Sequence, residues 1–202
     1  MTAATRYVFY GDSITDAGRD RADDSSLGDG YVSLLDARLR QRDEAATVRN
    51  LGISGNRAKD LEARIADDLV PAGADVLTVF VGINDTWRRF DSADPTDDVE
   101  FERSYRAVLD AVPARTVLIE PFLLPVRGEQ ETWLEDLAGK RAVVRRLADE
   151  YGAVFVPLHS HLTAVASSHS GGPAALAPDG VHPTPLGAAT IADAWTAAVG
   201  IH

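Results

Sequence analysis

Four short stretches of this 202-residue chain combine residue types that can carry acyl transfer. The first, Gly11-Asp12-Ser13-Ile14-Thr15, follows directly on an apolar run. A serine at a tight strand-to-helix turn exposes its hydroxyl and can turn its own backbone N–H toward a bound oxyanion. Ser13 or Asp12 can equally serve there as a plain helix cap. Thr15 stands where a G-x-S-x-G elbow has its second glycine, which argues against an α/β-hydrolase fold. The second stretch, Asn50-Leu51-Gly52-Ile53-Ser54-Gly55-Asn56, carries two glycines that permit positive φ and leave backbone N–H groups uncovered, or that form an ordinary turn. In the third, Val81-Gly82-Ile83-Asn84-Asp85, the Asn84 amide is either a further donor to developing negative charge or an Asx-turn. The fourth is Asp179-Gly180-Val181-His182-Pro183. A three-residue step across a glycine turn can bring the Asp179 carboxylate to Nδ1 of His182, leaving Nε2 to take a serine proton. The same two residues could also simply punctuate a loop.

The elements that must position these stretches are legible as alternating patterns. Runs at 7–10, 47–51, 76–81, 116–119 and 154–156 are continuously apolar rather than alternating, as in a parallel sheet covered on both faces. Helices are expected at 31–42, 59–69, 97–111, 132–150 and 185–199. In the fourth of these, Leu134, Leu137, Arg141, Val144 and Leu147 recur at three- and four-residue steps. The β–α alternation predicts a three-layer α/β/α sandwich with a five-stranded parallel sheet and right-handed crossovers. Neither a repeat nor a linker interrupts it, so one domain spanning 1–202 is expected. Residues 170–185, rich in Gly and Pro, read as a surface loop before the last helix. In open parallel sheets ligands sit beyond the carboxyl ends of the strands, which is where the chemistry-bearing residues fall.

Taken together, a nucleophile, two oxyanion donors and a base–orienter pair on separate loops match the logic of acyl transfer. The chain resembles the SGNH (GDSL-type) hydrolase superfamily, whose four blocks stand here as GDSIT around Ser13, NLGISGN around Gly55, GIND around Asn84 and DGVHP with Asp179 and His182. The resemblance implies a flavodoxin-like fold, a Ser13–His182–Asp179 triad, and an oxyanion hole formed by Ser13 N–H, Gly55 N–H and the Asn84 amide. Phe9 to Arg19, Gly30-Tyr31-Val32, Gly82 to Arg88 and Ile119-Glu120-Pro121-Phe122 further resemble the acetylxylan and xylo-oligosaccharide esterase branch. Members of that branch remove acetyl groups from sugar hydroxyls, some of them inside cells and as homo-oligomers. The resemblance thus implies ester hydrolysis without cofactor or metal, on a small-molecule or oligosaccharide ester. An acyl thioesterase or lysophospholipase would need a longer apolar lining than Asp85-Thr86-Trp87-Arg88 supplies, and a non-catalytic sugar-binding module would need no activated serine.

Composition sets the outer bounds. A formal net charge of −11 disfavours nucleic acid and anionic membrane surfaces as partners. With no cysteine, thiol catalysis and Cys-ligated zinc are excluded. The first residues run into a short apolar segment without a leader pattern, and no stretch approaches the roughly 18 apolar residues of a membrane span, so a cytoplasmic protein is expected. Around the expected site, Asp85, Trp87 and Arg88 would meet a sugar, Trp87 by stacking and Arg88 by bonding hydroxyls, with loop anchoring as the alternative for Trp87. Tyr31 would either line the same cleft or start a helix in the core. His159, His161 and His169 match no familiar ligand spacing and read as solvated, and His202 ends the chain. The acidic run 91–100 reads as a solvated loop entering a helix N-terminus.

Overall fold

The computed structural model describes residues 4–201, so His202 and most of the stretch preceding the first strand lie outside the described residues. Five strands, β1 (Arg6–Gly11), β2 (Thr47–Asn50), β3 (Val76–Phe80), β4 (Arg115–Ile119) and β5 (Val154–Val156), form one parallel sheet in the order β2-β1-β3-β4-β5. This is the flavodoxin-like order, in which the chain reverses direction across the sheet between β1 and β3 and opens a crevice there. The helices are, in chain order, α1 (Ser13–Asp16), α2 (Tyr31–Arg42), α3 (Ala58–Ala63), α4 (Val70–Ala72), α5 (Ile83–Asp91), α6 (Asp98–Asp110), α7 (Trp133–Tyr151), α8 (Leu158–Ser168), α9 (Gly172–Leu176) and α10 (Pro185–Val199).

The pleat of each strand divides its side chains between two apolar layers. Phe9, Phe80, Val117, Ile119 and Val156 meet α2, α8 and α10 on one face. Val8, Tyr10, Leu77, Val79 and Leu118 meet α3, α6 and α7 on the other. Strands buried from both sides are mainly apolar, and β3 is buried throughout, its polar Thr78 accepting from Trp195 Nε1 at 3.1 Å. On α7, Leu137, Val144 and Leu147 are buried as the stripe requires, while Arg141 at the same face pairs with Glu120 at 2.9 Å.

Three stretches differ from the sequence expectation. Residues after Asn84 form α5 rather than a loop, because Ile83, Trp87 and Phe90 fall at four- and three-residue steps and turn one face onto Trp133 of α7. Residues 158–168 form α8, burying Leu158, Leu162 and Ala166 beneath polar His, Ser and Thr side chains that hide the pattern. The stretch 170–185 contains α9 and buries Leu176, Ala177 and Val181, so it is packed rather than a surface loop. Among the described residues no helix is long and apolar enough to cross a membrane.

Candidate active site

β1 delivers Ser13. A side chain at Gly11 would place Cβ 2.4 Å from the Phe80 carbonyl oxygen, so only glycine lets β1 run this close to β3. Asp12 then caps α1, its Oδ1 accepting from Ile14 N–H at 3.0 Å. Ser13 follows as the first helical residue, half-buried, with Oγ 3.0 Å from Nε2 of His182. The other ring nitrogen of His182, Nδ1, lies 2.6 Å from Oδ2 of Asp179. Oδ1 of Asp179 accepts from the backbone N–H groups of Val181 (2.9 Å) and His182 (2.7 Å), so both carboxylate oxygens are engaged. Burial pushes the Asp179 carboxyl up, but the hydrogen bonds from the His182 ring, His182 N–H and Val181 N–H outweigh it and hold it below the ordinary carboxylate value.

The Asp179–His182 turn is held from behind. Gly180 has φ +87°, and a Cβ there would come 2.7 Å from the Leu124 carbonyl oxygen. Leu124 N–H donates to the Gly180 carbonyl at 2.9 Å, and buried Gln130 donates its Nε2 to the Asp179 carbonyl at 2.7 Å. The turn thus rests on the segment after β4.

The two other loops converge on Ser13. Gly55, at φ +86°, lies in the turn after β2. That turn is tied to α1 by Asp16, whose Oδ2 accepts from Ser54 N–H and Ser54 Oγ, both at 2.9 Å, and pairs with Arg21 at 2.6 Å. Burial raises the Asp16 carboxyl, but these donors together hold it below the usual range. Asn50 adds a second tie, donating Nδ2 to the carbonyls of Thr15 (2.6 Å) and Leu27 (2.8 Å). Asn84, buried in the first turn of α5, donates Nδ2 to the Asn56 carbonyl at 3.0 Å. An amide nitrogen has two hydrogens, so one remains for a ligand.

Ser13, Gly55, Asn84 and His182 all line one cavity of about 510 Å³, together with Trp87, Arg88 and Tyr31. Trp87 is half-buried, its ring 6.0 Å from the His182 ring and 5.6 Å from Trp133. Arg88 forms an ion pair with Asp91 on the same wall. One expected sugar contact is corrected. Asp85 does not reach the cavity: one step along a helix rotates a side chain by about 100° from Asn84. Its fully buried carboxylate instead accepts from Ala58 N–H at 3.2 Å, at the start of α3. Tyr31 contributes ring surface to the wall, but it is 1% exposed and its hydroxyl is committed to Thr15 Oγ1 at 2.9 Å.

Two buried carboxyls flank the site. Burial pushes Asp12 up to about 7, against the pull of Ile14 N–H and with help from Asp85, and Oδ2 of Asp12 has no hydrogen-bond partner among the described residues. Burial likewise pushes Asp85 up to about 7, against Ala58 N–H and the charges of Arg57 and Lys140. Asp12 precedes the candidate nucleophile and Asp85 follows the candidate oxyanion donor. A neutral form at either place keeps negative charge away from an oxyanion.

The remaining histidines do not assemble. Among the described residues no three His, Asp or Glu side chains converge as a metal-ligand set. His161 and His169 are exposed, whereas His159 is half-buried, its Nδ1 without a partner among the described residues, and burial lowers its pKa. The supporting residues Asp16, Asn50 and Gln130 were not expected to serve the site. Asp16 and Asn50 stand inside or beside the GDSIT and NLGISGN blocks, which is a usable signal. Gln130 has none.

Residues 9–190 match the model of the GDSL-like lipase/acylhydrolase family. The chain is 31% identical to an acetylxylan esterase of Geobacillus stearothermophilus over 208 residues, covering 96% of this chain and 94% of that one. The crystal structure of Axe2, an acetylxylan esterase of the same organism, is similar over 100% of this chain and 98% of that one, with a TM-score of 0.89 and 31% identity. LAE5, an α/β hydrolase enzyme from the metagenome of Lake Arreo in Spain, is similar with a TM-score of 0.88 and 30% identity over 100% of this chain and 97% of that one.

Proposed function

Because the chain belongs to the GDSL-like lipase/acylhydrolase family and is a carboxylic ester hydrolase, we propose that Ser13, His182 and Asp179 are its catalytic triad and that its substrates are O-acetylated xylo-oligosaccharides or similar sugars. The observation that carries the triad is the unbroken line Asp179 Oδ2–His182 Nδ1 (2.6 Å) and His182 Nε2–Ser13 Oγ (3.0 Å), opening into the cavity. Nε2 of His182 takes the Ser13 proton as Oγ bonds to the ester carbonyl carbon, and the carbonyl oxygen becomes an oxyanion. Backbone N–H of Ser13 and Gly55 and the spare Asn84 hydrogen receive that charge. Collapse breaks the bond to the alcohol oxygen, which leaves with the proton from Nε2. Water then attacks the acyl-Ser13 by the same route, releasing acetate and restoring the serine. Asp179 holds the His182 tautomer and stabilises the imidazolium throughout.

The sugar reading draws on the similarity to an acetylxylan esterase and on a wall that mixes Trp87 with polar Arg88 and Asp91. A long acyl chain gains about 0.8 kcal/mol per buried methylene only where an apolar channel receives it. The test is a series of esters differing in acyl length, alongside acetate release from acetylated xylo-oligosaccharides. kcat/KM falling steeply from acetyl to octanoyl, with acetate released from the sugar, is expected. Octanoyl esters or acyl thioesters turning over faster would overturn the sugar reading and favour a thioesterase or lysophospholipase.

A further inference from the structure

We infer that the Arg88–Asp91 pair sets the charge selectivity of the cavity, admitting neutral alcohol moieties and rejecting anionic ones; this rests on the cavity being the ester site proposed above. Among the described residues Arg88 is the one arginine or lysine in the cavity lining. Its Nη1 is bound to Oδ2 of Asp91, three residues on along α5, and Oδ1 of Asp91 accepts from Ser92 Oγ at 2.5 Å. Both side chains line the cavity, about one-third exposed at 35% and 33%, and their charges cancel. Asp29 also lines the cavity, exposed and with no hydrogen bond or ion pair to its carboxylate among the described residues. Behind the lining, Arg21, Arg57 and Arg64 are answered by Asp16, Asp94 and Asp68. Arg19 donates to the Gly52 carbonyl at 2.9 Å and lies outside the lining.

Among the described residues the lining therefore carries an uncompensated negative charge, on Asp29, and no cation that is free to meet an incoming carboxylate. A neutral polyol loses nothing to this field. Its hydroxyls can accept from the remaining Arg88 N–H groups and donate to Asp91 or Asp29. An alcohol bearing a carboxylate meets like charge in the cavity with nothing to offset it. Uronate esters and other anionic alcohols are accordingly disfavoured, and the discrimination belongs to the Arg88–Asp91 pair together with Asp29 rather than to the triad.

The test compares kcat/KM within two matched pairs. One pair is an acetylated methyl xyloside against an acetylated methyl glucuronoside, and the other is phenyl acetate against 4-acetoxybenzoate. In the wild type the neutral member is expected to lead by about tenfold or more in each pair, from like-charge repulsion at short range. Asp91→Asn releases Arg88 and should shrink the ratio by about tenfold, whereas Arg88→Gln leaves Asp91 alone and should enlarge it. Loss of packing or stability would lower both members of a pair together, so opposite movement of the ratio is specific to charge. Ratios near one in the wild type, or both variants moving the ratio in the same direction, would overturn the inference. If neither sugar is hydrolysed while the aryl acetates are, the sugar reading fails, and the aryl pair still decides the role of Arg88 and Asp91.

Discussion

The Asn84 amide spends one hydrogen on the Asn56 carbonyl, and the role proposed for the other, as a donor to the oxyanion, predicts that its removal separates chemistry from binding. Asn84→Ala is expected to lower kcat by about 10²–10³ while KM changes little, because the ground-state carbonyl needs the donor less than the transition state does. Steady-state kinetics on a small acetate ester check this, and a change confined to KM would make Asn84 a substrate-positioning residue instead. At this scale the sequence was most legible where spacing fixes geometry. Asp179 and His182 are three residues apart across one turn, and the structure brings them to 2.6 Å. It was least legible where adjacent residues diverge. Asn84 and Asp85 look like one polar pair, yet the helix sends Asn84 to the cavity and Asp85 to Ala58 N–H in the core. Tyr31 shows the same limit, since nothing in Gly30-Tyr31-Val32 tells that its hydroxyl is taken by Thr15.

At the scale of elements, the Asp179–His182 turn is only as well placed as the segment after β4 that supports it. Gly180→Ala would force a Cβ against the Leu124 carbonyl oxygen at a positive φ, costing about 1–3 kcal/mol and shifting the turn. Its thermal midpoint should drop by several degrees, and kcat should fall more than KM changes, because His182 moves relative to Ser13 while the cavity wall on α5 stays. A variant melting and turning over like the wild type would show that the turn needs no such support. The helix α5 was hidden because Asn84, Asp85, Thr86, Arg88 and Arg89 give it a polar, loop-like composition. Its structure comes from its partner: Thr86 Oγ1 bonds Asp136 at 2.8 Å, Arg89 pairs with Asp136 at 2.7 Å, and Phe90 stacks on Trp133 at 5.3 Å. Gln130 was invisible for the same reason, since its bond to the Asp179 carbonyl spans 49 residues and leaves no local pattern.

For the molecule as a whole, the five strands and both apolar layers were legible because a doubly covered parallel sheet writes itself as continuous apolar runs, whereas the flavodoxin-like order followed only from the family resemblance. The cost of placing carboxyls in that interior was not legible. Asp12 and Asp85 are both pushed up to about 7 by burial, above the value of about 3.9 expected in the unfolded chain. Between those values the native state holds protons that the unfolded chain has released, so stability falls as pH rises through the window and levels off above it. Asp16, Asp75 and Asp179 are shifted the other way, and their contribution is lost only as pH falls below about 4. Denaturation midpoints measured from pH 5 to 8 should therefore decline in the wild type and decline less in Asp12→Asn or Asp85→Asn. Parallel curves for all three proteins would show that neither carboxyl titrates there.

The nucleophile itself is open to a direct measurement on the intact protein. After treatment with a fluorophosphonate, the wild type should gain the mass of a single adduct, carried by the peptide that contains Ser13. Ser13→Ala should melt like the wild type, gain no adduct, and keep at most the residual rate that oxyanion donors alone supply, about 10³-fold over water in comparable triads. An adduct on another residue, or ester turnover by Ser13→Ala within about tenfold of the wild type, would contradict the assignment of Ser13 as the attacking group.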